Sequence, residues 1–167
     1  MYTLLNLFEK GILKIKQIII IFYYKLKYGK RFKCGKKLSF RKRFQINISK
    51  NGKVVIGNNC FFNNDCSINS HNEIVIGEDN LFGENVKIYD HNHIFNDKSV
   101  NMKRSFKDRA VIIGNNNWFG SNCVILSKAN IESNNVFGAN TIINQEIDSN
   151  NIIITNPSII KEKIKYK

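Results

Sequence analysis

From Ile113 onward a bulky apolar residue returns at every sixth position, as Ile113, Phe119, Ile125, Ile131, Phe137 and Ile143. Glycine follows three of them (Gly114, Gly120, Gly138), and the fourth residue after each is mostly small: Asn117, Cys123, Ala129, Asn135 and Thr141, then Ile147. A helix cannot use this spacing, because six residues at about 100° each smear the apolar set around the cylinder. A strand of period two does not account for it either. A short strand, a turn and another short strand, with one inward side chain per step, does, and this is the six-residue repeat of a β-helical solenoid.

The same register continues upstream in Ile56, Phe62 and Ile68, with Gly57, and in Ile76, Phe82 and Ile88, with Gly77 and Gly83. Two breaks interrupt it. Eight residues separate Ile68 from Ile76, which predicts a two-residue bulge at a corner within Asn69 to Glu73. From Ile88 to Ile113 the count is 25, and the polar, charged stretch Asp90 to Arg109 reads as a loop thrown out from the solenoid. Loops on rigid scaffolds are where binding and chemistry concentrate.

A chain of 167 residues is one domain's worth and buries a core without help from disulfides or metals. Asparagine clusters as Asn58-Asn59, Asn63-Asn64, Asn115-Asn116-Asn117, Asn134-Asn135 and Asn150-Asn151, in phase with the apolar sixth residue. It tolerates left-handed backbone and bonds its own main chain, so it suits a corner every few residues.

Charge divides the chain. Residues 1–53 hold 15 of the 26 Lys and Arg against Glu9 alone, whereas the remainder is close to neutral. Within the basic segment, Leu4 to Tyr28 is apolar and aromatic with Lys10, Lys14, Gln17 and Lys25 near helical spacing, which predicts an amphipathic helix followed by a basic linker, Lys30 to Arg43. The longest unbroken apolar run, Ile18 to Tyr24, is far short of the roughly 20 residues a bilayer crossing needs, and no small-residue cleavage site follows it. Two roles compete for the helix: lying on an anionic membrane surface, or packing over the open first coil, which must be capped. No base-reading or base-stacking motif accompanies Lys36, Lys37, Arg41, Lys42 and Arg43, so nucleic acid is not expected as a partner. The expected organisation is therefore a helix and linker over residues 1–37, a β-helix over 38–154 with its loop at 90–109, and a basic tail over 155–167. Of the four cysteines, Cys60, Cys66 and Cys123 fall at the fourth place after the apolar residue, where a free thiol serves as a small hydrophobe. A reducing cytoplasm is expected, with peripheral contact at the inner membrane as the variant.

Several segments carry a resemblance: Val86-Lys87-Ile88-Tyr89-Asp90-His91-Asn92-His93, then Val111 to Leu126 with Trp118, then Phe137-Gly138-Ala139-Asn140-Thr141, and the closing Asn156-Pro157-Ser158. Over about residues 45–160 the chain resembles the left-handed β-helix acyltransferases of the hexapeptide-repeat superfamily. Within them it looks like the branch of acetyl-CoA-dependent sugar O-acetyltransferases that act on bacterial surface polysaccharides, related to the maltose, galactoside and streptogramin acetyltransferases. The left hand comes from the resemblance alone, since the usual crossover rule favours the other hand.

Acetyl transfer from a thioester to a sugar hydroxyl needs a group that removes the hydroxyl proton, and imidazole titrates near neutrality. The gap-free match places His93 on the family's catalytic histidine, with His91 two residues away as the alternative base. Asp90, or a backbone carbonyl, could hold the imidazole tautomer. The resemblance assigns Trp118 to a place beside acceptor and thioester, Asn64 to the acceptor, and Ser121, Gly138 and Ala139 to the pantetheine arm of acetyl-CoA. Where many relatives show Thr-Lys after the last coil this chain has Asn144-Gln145, so Lys128 or Lys161 is the candidate for the donor's phosphates. The closing motif also reads Thr155-Asn156-Pro157 where Gly-Asn-Pro is usual. The family's subunit groove implies a homotrimer, with one wall of a three-sided prism covered and three equal sites built. No metal is expected. The alternatives are an N-acetyltransferase on an amino sugar using the same base, a γ-carbonic-anhydrase-like enzyme with His71, His91 and His93 on zinc, and a non-catalytic sugar-binding solenoid.

Overall fold

The computed structural model describes residues 2–154, with side chains from residue 11 onward. A helix, α1 (Tyr2–Tyr28), is followed by a short 3-10 turn, Gly29–Arg31, and then by strands that stack into three parallel walls. The first wall holds Phe32–Cys34, Lys53–Ile56, Glu73–Ile76, Val111–Ile113, Asn130–Ile131 and Glu146–Ile147. The second holds Ser39–Phe40, Phe61–Phe62, Leu81–Phe82, Trp118–Phe119, Val136–Phe137 and Ile152–Ile153, and the third Gln45–Ile48, Ser67–Ser70, Lys87–Tyr89, Val124–Ile125 and Ile142–Ile143. The chain visits the walls in turn, so each coil lays one strand on each. Together with its structural relatives, described below, this architecture is a left-handed parallel β-helix.

Every sixth-position residue points inward and stacks on its counterpart one coil on, as Ile56 on Ile76 on Ile113 on Ile131. On the second wall the inward residue is phenylalanine in successive coils. Phe62, Phe82, Phe119 and Phe137 lie ring on ring with centroids 4.3–4.9 Å apart and planes within 4° of parallel. All four rings are at most 1% exposed. Corners turn through left-handed residues, and Asn59, Asn85, Asn116, Asn122, Asn134, Asn140 and Asn150 all have positive φ there, as the asparagine pattern predicts. Behind them Asn80, Asn117 and Asn135 are buried, and each side-chain oxygen accepts the backbone N–H of the next rung at 2.8–2.9 Å. The close approach of corners explains the glycines: a Cβ on Gly120 would lie 2.7 Å from the Ala139 nitrogen.

The expected basic linker is instead the first coil of the solenoid. Cys34, Phe40 and Ile46 are in sixth-position phase, and Phe32, Leu38, Phe40 and Ile46 are buried while the basic residues between them face outward. The β-helix therefore starts at Phe32 rather than at residue 38. Helix α1 closes this coil. Tyr24 and Tyr28 are buried against it, the Tyr28 hydroxyl donates to the Ile46 carbonyl at 2.9 Å, and Gln17 Nε2 donates to the Phe40 carbonyl at 2.6 Å. Side chains of the helix thus satisfy backbone groups that the first coil, lacking a neighbour, would leave open.

Candidate active site

The corner between the third and first walls carries the chemistry-bearing residues. In the second coil it is widened by two residues, His71 and Asn72 lying between the strands Ser67–Ser70 and Glu73–Ile76, as the spacing predicts. In the third coil the chain leaves the same corner as an antiparallel ribbon, His91–His93 paired with Phe106–Asp108 in the register His91 to Asp108 and His93 to Phe106. The stretch expected as an irregular loop is thus rooted in a two-stranded hairpin.

Asp90 sits at the base of that ribbon and is completely buried. Its Oδ1 accepts the backbone N–H of His71 at 2.7 Å, and its Oδ2 accepts the backbone N–H of Asn72 at 2.8 Å and the Ser70 hydroxyl at 2.7 Å. The His91 Nδ1 lies 3.1 Å from Oδ1, so the carboxylate also fixes the orientation of this ring. A buried carboxylate is tolerable only when satisfied in this way.

All three histidines of the chain meet here. The rings of His71 and His91 stack with centroids 3.9 Å apart, and Phe106 packs edge-on against His71 at 4.2 Å and beside His93 at 4.5 Å. Burial, reinforced by the neighbouring His91, holds the His71 pKa below its ordinary value of 6.5. His93 is more exposed and is held by a different partner, its Nδ1 lying 2.7 Å from the Met102 carbonyl oxygen. The Asp90 carboxylate thus contacts the His91 ring, and a backbone carbonyl contacts the His93 ring. Face-to-face stacking of His71 on His91 does not resemble a zinc ligand set, and among the described residues no group of three or more His, Cys, Asp or Glu side chains is placed to hold a metal ion.

Two cavities flank the ribbon. One, of about 370 Å³, lies against the third wall and is lined by His71, His91, Tyr89, Asn47 and Asn69, with Lys27 and Tyr28 from the end of α1. The other, of about 270 Å³, lies on the ribbon's opposite face among Asn92, Lys107, Arg109, Ser127, Lys128 and Asn144. Lys128 thus joins two ribbon cations that the sequence reading did not single out. Tyr89, beside a repeat position, and Phe106, inside the charged stretch, were missed as well, since a lone aromatic carries no signal of its own.

The remaining candidates lie elsewhere on the protomer. Trp118 stands on the outer face of the second wall, half exposed, between Leu81 and Val136. Ser121, Gly138 and Ala139 stack at the corner between the second and third walls, where Asn140 N–H donates to the Ser121 carbonyl at 2.9 Å. Asn64 is at that same corner two coils earlier, its oxygen accepting the Lys42 N–H at 3.2 Å and its amide donating to Glu84 at 3.1 Å. Within one chain, then, neither Trp118 nor Asn64 shares a corner with the histidines. Lys161 lies outside the described residues.

No protein-family model matches the chain, and no curated protein does. Solved structures do match. A hexapeptide-repeat-containing acetyltransferase from Vibrio cholerae, complexed with acetyl coenzyme A, is similar with a TM-score of 0.68 and 22% identity over 85% of this chain and 76% of that one. A galactoside acetyltransferase in complex with coenzyme A gives a TM-score of 0.66 and 25% identity over 80% of this chain and 66% of its own length. A mutant of an N-acyltransferase from Bacillus cereus, in complex with dTDP and coenzyme A, gives 0.58 and 15% over 81% and 84%. The coils, the walls and these likenesses agree: the chain has the left-handed β-helix fold of the hexapeptide-repeat acyltransferases.

Proposed function

We propose that this chain is an acetyltransferase that moves an acetyl group from acetyl-CoA to a hydroxyl of a carbohydrate acceptor, with His93 as general base. The observation that carries this reading is the 2.7 Å contact between His93 Nδ1 and the Met102 carbonyl. A carbonyl only accepts, so Nδ1 bears the hydrogen and, in the neutral ring, Nε2 keeps its lone pair. That lone pair takes the hydroxyl proton as the oxygen adds to the thioester carbonyl. The proton then goes to the departing thiolate, and the C–S bond breaks as the ester forms. His91 anchors the ribbon through Asp90 and is the alternative base. Because Asp90 contacts His91 and the preceding corner, it acts as a positioning residue.

On the donor side, Lys128 with Lys107 and Arg109 forms a cationic cavity suited to phosphates. Ser121, Gly138 and Ala139 offer close approach for an extended arm, with Lys161 as a further candidate cation. Trp118 is on a different wall from the histidines, so a second copy must supply one half of the site, and a homotrimer with threefold symmetry does this for all three sites at once. On the acceptor side, the wall face beside His91 presents amides and a phenol, Asn47, Asn69 and Tyr89, which suits a polyhydroxylated ligand, while Asn64 would contact it from a neighbouring copy. The expected acceptor is a surface polysaccharide or its precursor, and a reaction fed by acetyl-CoA fits a cytoplasmic protein.

The test is acetyl-CoA turnover against oligosaccharides, nucleotide sugars and free amino sugars, with His93→Ala and His91→Ala beside the parent. Loss of a general base costs roughly 10²- to 10⁴-fold in kcat, and His93→Ala should show it with an unchanged melting temperature. Full turnover in that variant removes His93 from the role, and turnover confined to amines makes the enzyme an N-acetyltransferase.

A further inference from the structure

We infer that α1 docks the protein in the plane of an anionic lipid surface while its other face closes the solenoid. At 100° per residue, Gln17, Ile20, Ile21, Tyr24 and Tyr28 form the stripe packed on the first coil. Diametrically opposite lie Ile15, Ile18, Ile19, Phe22 and Leu26, each between 60% and 69% exposed. This is a continuous aliphatic and aromatic face, with nothing of the described chain against it. Side chains of this kind are scattered singly on most surfaces, and a stripe of five over three helical turns marks an interaction site.

The lysines say what covers it. Lys14 and Lys25 fall along one border of the exposed face and Lys16 and Lys27 along the other, all exposed. A strip of apolar side chains with cations on both flanks suits an interface where the apolar groups enter the acyl boundary and the ammonium groups meet phosphates. The same arrangement opposes a second copy of this face, since pairing two such strips sets lysine borders against each other with Glu9 the sole acid in residues 1–53. No described helix is long and apolar enough to cross a membrane, so the helix lies on the surface. Lys27 and Tyr28 also line the cavity containing His71 and His91, which puts that cavity near the lipid head groups. The inference does not depend on the proposed reaction.

The experiment is flotation of the full chain with vesicles of phosphatidylcholine, with and without phosphatidylglycerol. Binding to the anionic vesicles and release by salt are expected, with little binding to neutral ones. Ile18→Glu and Phe22→Glu, at positions that leave the core untouched, should each lower the partition coefficient roughly tenfold or more, as should the pair Lys14→Glu and Lys25→Glu. Lys36→Glu with Lys37→Glu, off the helix, should retain most of the binding. Absence of binding to anionic vesicles overturns the inference. So does full binding by Phe22→Glu, which would leave charge alone as the cause. If sedimentation shows Phe22→Glu splitting an oligomer while vesicle binding is unchanged, the face belongs to a second copy and the inference fails.

Discussion

Removing the Asp90 carboxylate should unfold the corner on which the ribbon stands, and the size of the effect follows from its partners. Asp90→Ala deletes the acceptor of two backbone N–H groups, His71 and Asn72, and of the Ser70 hydroxyl, at 2.7–2.8 Å in a site with no solvent exposure. Hydrogen bonds to a charged group contribute about 1.5–3 kcal/mol each, and stranding buried donors restores little of that. The hydroxyl can turn to the Lys53 carbonyl, 3.1 Å away, so the two backbone N–H groups are the donors that lose their acceptor. The expected loss is about 3–6 kcal/mol, from two hydrogen bonds to a charged group. Asp90→Asn has the same shape and keeps one oxygen, but its amide nitrogen must face either the His71 or the Asn72 N–H. Its loss should be smaller, about 1–3 kcal/mol. Urea unfolding followed by circular dichroism measures both, with the midpoint reporting stability and the slope checking that the unfolded states are comparable. If Asp90→Ala lies within about 1 kcal/mol of the parent at equal slope, the carboxylate does not hold this corner.

Two further perturbations test other parts of the argument. Phe119→Ala opens a gap between Phe82 and Phe137, whose rings lie 4.9 and 4.7 Å from its own, and should cost about 3–5 kcal/mol in urea unfolding; a loss below about 1 kcal/mol would mean the coils close up around the gap. The His71 pKa is depressed by burial and then by His91, against the opposing pull of Asp108 and Asp90, so the unfolded chain binds more protons just below the ordinary value of 6.5. Stability from this group is present above that value and is lost as pH falls through it towards the folded pKa. The urea midpoint should therefore decline as pH falls below about 6.5, and His71→Gln should flatten the decline; an unchanged slope in the variant would refute it.

Most of the solenoid is legible in the sequence because a repeat position is strict: the inward residue must be apolar and the turn residue must tolerate positive φ. Ile113 to Ile143 and the asparagines between them state both rules at once. The first coil obeys them too, with Cys34, Phe40 and Ile46 six apart, yet its outward positions are so basic that composition masks the period. Charge on the outside of a coil says nothing against a coil. The ribbon was hidden for another reason. His91–His93 and Phe106–Asp108 are joined across twelve residues with no tight-turn signature, and pairing over that distance leaves no periodic trace. The convergence of His71 with His91 is visible only once the coil length is known, because stacking places residues 20 apart in the chain against one another.

The distribution of chain length around the prism explains why the histidines gather where they do. Between the first and second walls, and between the second and third, the inward residues are six apart in every described coil, as in Ile56, Phe62, Ile68 and Ile113, Phe119, Ile125. Between the third and first walls the count runs 10, 8, 25, 6 and 4, from Ile46 to Ile56 through to Ile143 to Ile147. One edge therefore absorbs all the variation. Regular corners satisfy their backbone by stacking, and the asparagine column from Asn80 to Asn151 shows how. A corner that widens loses that partner and exposes its N–H groups. Asp90 replaces it, accepting from the widened corner of the second coil while rooting the ribbon of the third. The placing of His91 and the variation in chain length at this edge thus meet in one carboxylate.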